Sequence, residues 1–104
     1  MNTQSFAQTE SAVMDWAKAR DIYKHGTALG QATKTVEEAN ELLDAVKAGD
    51  NKAIRDAIGD VLVTLVNVGV LTDNDVRQCF FEAYQEIKDR KGHLGPDGIF
   101  HKQP

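Results

Sequence analysis

The chain has 104 residues, a formal net charge of −4, 41% hydrophobic residues and 27% charged ones, which fits one domain, residues 1–104, with a modest core and excludes wholesale disorder. An acidic balance argues against a protein built to grip nucleic-acid backbones. The lone Cys79 forbids an internal disulfide or a zinc finger, and no apolar stretch reaches the roughly 20 residues that a bilayer span needs, so neither nucleic acid nor membrane is expected as a partner.

The polar start, Met1–Glu10, lacks the apolar core of a signal peptide, and a cytoplasmic location is the default expectation. Ser5 to Lys24 reads as a first helix. Phe6, Val13, Trp16, Ala17, Ile22 and Tyr23 approximate one apolar face, which Glu10, Asp15, Lys18 and Arg20 largely avoid. His25-Gly26-Thr27 supplies a stop and a cap for the next helix. That second helix is expected over about Ala28–Ala48, with Leu29, Ala32, Val36, Ala39, Leu42, Leu43 and Val46 as its apolar stripe. A separate polar row, Gln31, Lys34, Glu38 and Glu41, stacks on one side at spacings of three and four. Gly49 ends this helix and Asp50 caps the third.

Residues 51–71 carry the β-branched run Val61-Leu62-Val63-Thr64-Leu65-Val66, which favours a strand. Length decides for a helix, because about twenty residues without a turn signal exceed a usual strand, and Ile54, Ile58, Val61, Leu62 and Leu65 keep helical spacing. Its second half is apolar nearly all round, and such burial in so small a chain calls for a second subunit. Thr72-Asp73-Asn74-Asp75 opens a fourth helix ending near Lys91-Gly92, with Val76, Cys79, Phe80, Ala83, Tyr84 and Ile87 inward. Gly95-Pro96-Asp97-Gly98 is a turn that either closes a short hairpin or folds the tail back. The expected fold is all-α: a four-helix, antiparallel helical-hairpin bundle completed by oligomerisation, with a short C-terminal turn or hairpin.

With Gly49-Asp50 as the turn of a hairpin and a rise of about 1.5 Å per residue, Glu41 and Glu38 lie roughly 13 and 17 Å from the turn, and Asp56 and Asp60 roughly 10 and 16 Å. Glu38 then stands opposite Asp60, and Glu41 nearer Asp56. Converging carboxylates repel and raise one another's pKa unless a cation joins them, and an all-oxygen set suits magnesium, with manganese as a substitute, better than zinc. With Lys34 beside it, such a cage suits phosphate handling. The alternative is that Glu37, Glu38, Glu41, Asp56 and Asp60 are solvated helix faces paired with Lys34, Lys47, Lys52 or Arg55.

At these residues the chain resembles the MazG-like, all-α nucleoside triphosphate pyrophosphohydrolases. Glu37-Glu38-Ala39-Asn40-Glu41 matches the first acidic element of that family, and Gly59-Asp60-Val61-Leu62-Val63 looks like the second. The likeness runs from about Trp16 to Lys102, and the segments Ala83 to Gly92 and Gly98-Ile99-Phe100 look like small phage-type members. It implies magnesium-dependent hydrolysis of an NTP or dNTP to monophosphate and pyrophosphate, by homodimers or homotetramers of helical hairpins. Carried over, Glu38, Glu41 and Asp60 are the metal ligands. Glu37 adjoins them, and Glu37 or Glu38 accepts the proton of the attacking water.

The family commonly has a glutamate three residues before the final aspartate, and here that place is Ala57. Asp56, one residue earlier, is the candidate replacement as fourth ligand. Gln31 and Lys34, on the row of Glu38, are candidates for substrate contact, as are Lys88, Arg90 and Lys91. Trp16 either stacks on a base or belongs to the helix core. Other readings are a non-catalytic helical interaction protein with a degraded site, or a specialised relative acting on dUTP or phosphoribosyl-ATP.

Overall fold

In the computed structural model, which describes residues 4–104, Ser5 opens helix α1 (Phe6–Ala19) with a reciprocal cap: its hydroxyl accepts from the Gln8 amide, and the Gln8 side chain accepts from the Ser5 amide. Residues 1–3 of the polar start lie outside the described residues. The single helix expected through Lys24 is broken. Asp21 takes a left-handed φ of 60°, a conformation aspartate tolerates, and a four-residue helix α2 (Ile22–His25) comes after it.

Thr27 caps α3 (Ala28–Ala48) through the Gly30 amide, as its place in the sequence implies. The turn that matters most is the next one. Gly49 has φ 68° and its N–H donates to the Val46 carbonyl, while the Asp50 N–H reaches back to the Ala45 carbonyl at 3.2 Å. This Schellman pattern requires a left-handed residue, for which glycine carries no Cβ penalty. Asp50 then caps α4 (Asn51–Leu71) through the Ala53 amide, so the two long helices form the expected antiparallel hairpin and the β-branched run is helical.

The last helix, α5 (Val76–Ile87), starts later and stops earlier than expected. Its cap is Asp75, which accepts from the Arg77 amide, and residues 72–75 form a turn in which the Asn74 N–H donates to the Gly69 carbonyl at 2.8 Å. A Cβ on Gly69 would sit 2.7 Å from the Asn74 carbonyl oxygen, so this corner needs a glycine. The tail is a hairpin, β1 (Gly92–Leu94) against β2 (Phe100–Lys102), with His93 opposite His101. Asp97 in its turn accepts from the Ile99 amide and pairs with His101.

Two faces differ from expectation. Along α3, the side turned to α4 is Gln31, Thr35, Glu38, Leu42 and Ala45, whereas Leu29, Val36, Leu43 and Val46 of the expected inner stripe are exposed. Along α4 the small and polar residues Ala57, Thr64 and Asn67 are buried, and Ile58, Leu62 and Leu65 are exposed. Hydrogen bonds supply the seam's specificity: Thr35 to Thr64 at 2.8 Å, the Asn67 NH₂ to the Gln31 side-chain oxygen at 3.2 Å, and the Tyr23 hydroxyl to the Asn67 side-chain oxygen at 2.7 Å. Among the described residues the buried apolar side chains are Ala17, Ala45, Ala57 and Val66, and no large one is fully buried. The radius of gyration, 16.0 Å, exceeds the about 13 Å of a compact chain of this length. No helix among the described residues is long and apolar enough to cross a membrane.

Candidate active site

Side-chain contacts across the seam fix its register. With Thr35 against Thr64 and Gln31 against Asn67, continuing toward the Gly49 turn brings Glu38 to the height of Asp60 and Val61, which is the pairing that helical rise implies. Because 3.6 residues complete a turn, the residues four and seven after Gln31 share its face, and Glu38 is therefore carried into the seam. Its side chain retains 10% exposure. A buried carboxylate needs partners, yet only one oxygen has one: Oε1 lies 3.5 Å from Lys34 Nζ, and Oε2 has no hydrogen-bond partner among the described residues.

Glu41 stands one turn along at the rim. Its carboxyl is pushed above the ordinary carboxylate range, first by the hydrogen bond it can share with Glu38 and by that residue's charge, then by desolvation; Asp60 adds to the rise from across the seam and Lys34 opposes it. Lys34 is held above the ordinary lysine range, first by Glu37, 3.3 Å away, and then by Glu38. Glu38, Glu41 and Asp60 thus form one electrostatic group, with Glu37 and Lys34 flanking it. As arranged, no three His, Cys, Asp or Glu side chains among the described residues are grouped so as to hold a metal ion. The donor chemistry nevertheless fits a hard cation: all oxygen, one buried oxygen unpartnered, and one carboxyl whose charge is disfavoured by its neighbours.

The other expected site residues separate from this group to different degrees. Asp56 shares a cleft wall with Asp60, as their spacing requires, but its side chain is 61% exposed and pairs with Lys52 at 3.0 Å. Ala57 is buried. Gln31 belongs to the seam network through its side-chain oxygen. Trp16 is not a core residue: it is 46% exposed, and the Arg20 guanidinium lies 4.6 Å from the ring centroid. Lys88 and Lys91 are exposed beyond or at the end of α5, and Arg90 reaches Glu86 at 3.4 Å. None of these three lines a described cleft.

One residue at this end of the molecule escapes the sequence reading. Glu10, expected to avoid the apolar face, has a side chain only 2% exposed, bonded through Oε1 to Arg77 Nε at 2.9 Å and with Oε2 unpartnered. The signal was present in the spacing, since Phe6, Glu10, Val13 and Ala17 succeed one another at four, three and four residues on one stripe. Glu10 stands in the wall of a cleft of about 780 Å³ between α1 and α4, whose opposite wall carries Arg55, Asp56, Gly59 and Asp60.

Comparison with known families gives one match: the MazG nucleotide pyrophosphohydrolase domain, over residues 27–94. That span runs from the cap of α3 to the end of β1 and contains the whole acidic group, while α1 precedes it. No curated protein and no solved structure matches the chain.

Proposed function

Because the chain belongs to the MazG nucleotide pyrophosphohydrolase domain family, we propose that it hydrolyses nucleoside triphosphates, NTP or dNTP, to monophosphate and pyrophosphate at the α3–α4 rim, with magnesium as cofactor. The observation that carries this reading is the unpartnered buried Oε2 of Glu38, within the matched span and level with Asp60. Glu38, Glu41 and Asp60 would hold magnesium, or manganese in its place. Asp56 would join them only by giving up Lys52. Bound there, the ion would neutralise phosphate charge and make a water more acidic.

The residues around it divide the remaining work. Lys34 stays protonated at neutral pH beside two glutamates and offers its ammonium to a phosphate oxygen. Gln31 keeps its amide oxygen on Asn67 and has its NH₂ end for the same purpose. Glu37, exposed next to Lys34, or Glu38 itself accepts the proton of the water that attacks the phosphoryl group in line. Lys88, Arg90 and Lys91 line neither cleft, and we assign them a substrate contact only from a second copy of the chain.

The second copy is part of the proposal. Among the described residues, a core of Ala17, Ala45, Ala57 and Val66 leaves Ile58, Leu62 and Leu65 of α4 and Phe80, Tyr84 and Ile87 of α5 uncovered, and apolar area of that kind is buried in a homodimer or homotetramer. A second reading, a helical interaction protein with a degraded site, is favoured by Ala57 and by the outward Asp56–Lys52 pair. Incubating the protein with a panel of NTPs and dNTPs, with and without magnesium, separates the two. Monophosphate and pyrophosphate appear only with the metal if the enzyme reading holds, and no turnover of any nucleotide refutes it.

A further inference from the structure

The α1–α4 cleft lies outside the acidic group except at Asp60, which belongs to both. Its volume, about 780 Å³, is within the about 300–1,000 Å³ typical of small-molecule sites, and its lining joins apolar surface to Ser5, Thr9, Arg55, Asp56 and Asp60. Phe6, Val13 and Leu62 supply apolar surface. At Gly59 the floor is bare, because a Cβ there would meet nothing within 4 Å. In the opposite wall, on α1, Glu10 carries a carboxylate almost wholly removed from water, anchored through Oε1 to Arg77 and with Oε2 unsatisfied.

From this arrangement we infer that the cleft receives the base of the nucleotide and that Glu10 selects bases bearing an exocyclic amino group. The inference rests on the nucleotide reading, with the phosphates at the Asp60 end and the base toward α1. A carboxylate accepts hydrogen bonds and donates none. With one oxygen taken by Arg77, the other needs a single N–H, which the amino group of cytosine, adenine or guanine provides. Thymine and uracil carry one N–H on that edge between two carbonyl oxygens, and placing those oxygens beside a buried carboxylate is repulsive. A site built around an unpaired acceptor rejects a ligand that leaves it unpaired.

Equilibrium dialysis of dCMP, dAMP, dGMP and dTMP against the full-length protein tests this without requiring turnover. The amino-bearing nucleotides should bind at least about tenfold more tightly than dTMP, the scale of one hydrogen bond to a charged group. In Glu10→Gln the amide oxygen faces Arg77 and the NH₂ faces the cleft, so the donor and acceptor are exchanged and the preference should collapse or reverse toward dTMP. Gly59→Leu should weaken all four without lowering the melting temperature, since leucine is the better helix former. Equal binding of the four nucleotides by the wild type, no binding of any at millimolar concentration, an unchanged ratio in Glu10→Gln, or full binding by Gly59→Leu each overturns the inference. Turnover of the NTP and dNTP panel reads the other question independently: selective binding without turnover removes the hydrolase reading, and turnover without selectivity removes this one.

Discussion

The helices of the α3–α4 hairpin and of the α5 arm are all amphipathic in sequence, yet they are finished to different degrees. In the first, polar side chains interlock across a seam, and Asn67 retains only 2% exposure while serving both Gln31 and Tyr23. In the second no residue of α5 is buried, and Phe80, Tyr84 and Ile87 lie open along its apolar side. The hairpin therefore holds its acidic group by bonds within the chain, and the arm leaves its apolar side uncovered within the chain.

The largest expected effect falls on the hairpin. Glu38→Gln and Glu41→Gln should each reduce magnesium-dependent turnover by at least about a hundredfold, the range seen when one preorganised charge-stabilising group is lost, with helicity by circular dichroism unchanged. Activity surviving in both variants would remove these residues from the site. On the arm, Phe80→Asp should shift sedimentation from an oligomer to a monomer, because a charge cannot be buried unpaired; a wild type that sediments as a monomer at micromolar concentration breaks the comparison at once. Next in size, Asn67→Ala strips both Tyr23 and Gln31 of their partner at a buried position, a loss of about 1–3 kcal/mol in denaturant melts.

Two smaller effects sharpen the picture. Glu41 has a raised pKa in the folded chain, so its contribution to stability is fully present below the ordinary carboxylate value of 4.5 and is lost as pH rises through the folded value. Glu41→Gln should accordingly melt at a higher temperature than the wild type at pH 7, and the gain should vanish on acidification toward about pH 4; a gain that persists in acid would assign the shift to another cause. Asp56→Ala should alter stability by less than about 1 kcal/mol, as for other exposed ion pairs. If turnover falls with it, Asp56 serves as the fourth ligand after all; if turnover is untouched, the acidic group works with three.

How much of this was legible in the sequence depends on the kind of interaction. Local signals were reliable: Thr27, Gly49 and Asp50 cap and stop helices through bonds within a few residues of themselves, and they do so here. The height pairing of Glu38 with Asp60 was also legible, because helical rise is fixed once the turn is known. Faces were harder. The polar row that holds Gln31 and Glu38 meets α4, as the carboxylate pairing implied, whereas Leu29, Val36, Leu43 and Val46 of the α3 apolar stripe lie exposed, since periodicity says which residues share a side but not what that side meets. The break at Asp21 depends on a left-handed residue that carries no glycine signal. Glu10 was misread although it shares a stripe with Phe6, Val13 and Ala17, because the Arg77 that pairs with its buried carboxylate is distant in sequence.

If the buried Oε2 of Glu38, with Glu41 and Asp60, forms the cation site of a nucleotide pyrophosphohydrolase, the free protein binds magnesium or manganese through Glu38. Calorimetric titration of magnesium and manganese into the wild type and into Glu38→Gln tests it most directly. The wild type should bind the divalent ion and the variant should bind it at least about tenfold more weakly, as expected for a lost carboxylate ligand. Equal affinity in the two proteins, or no binding by the wild type, would contradict it.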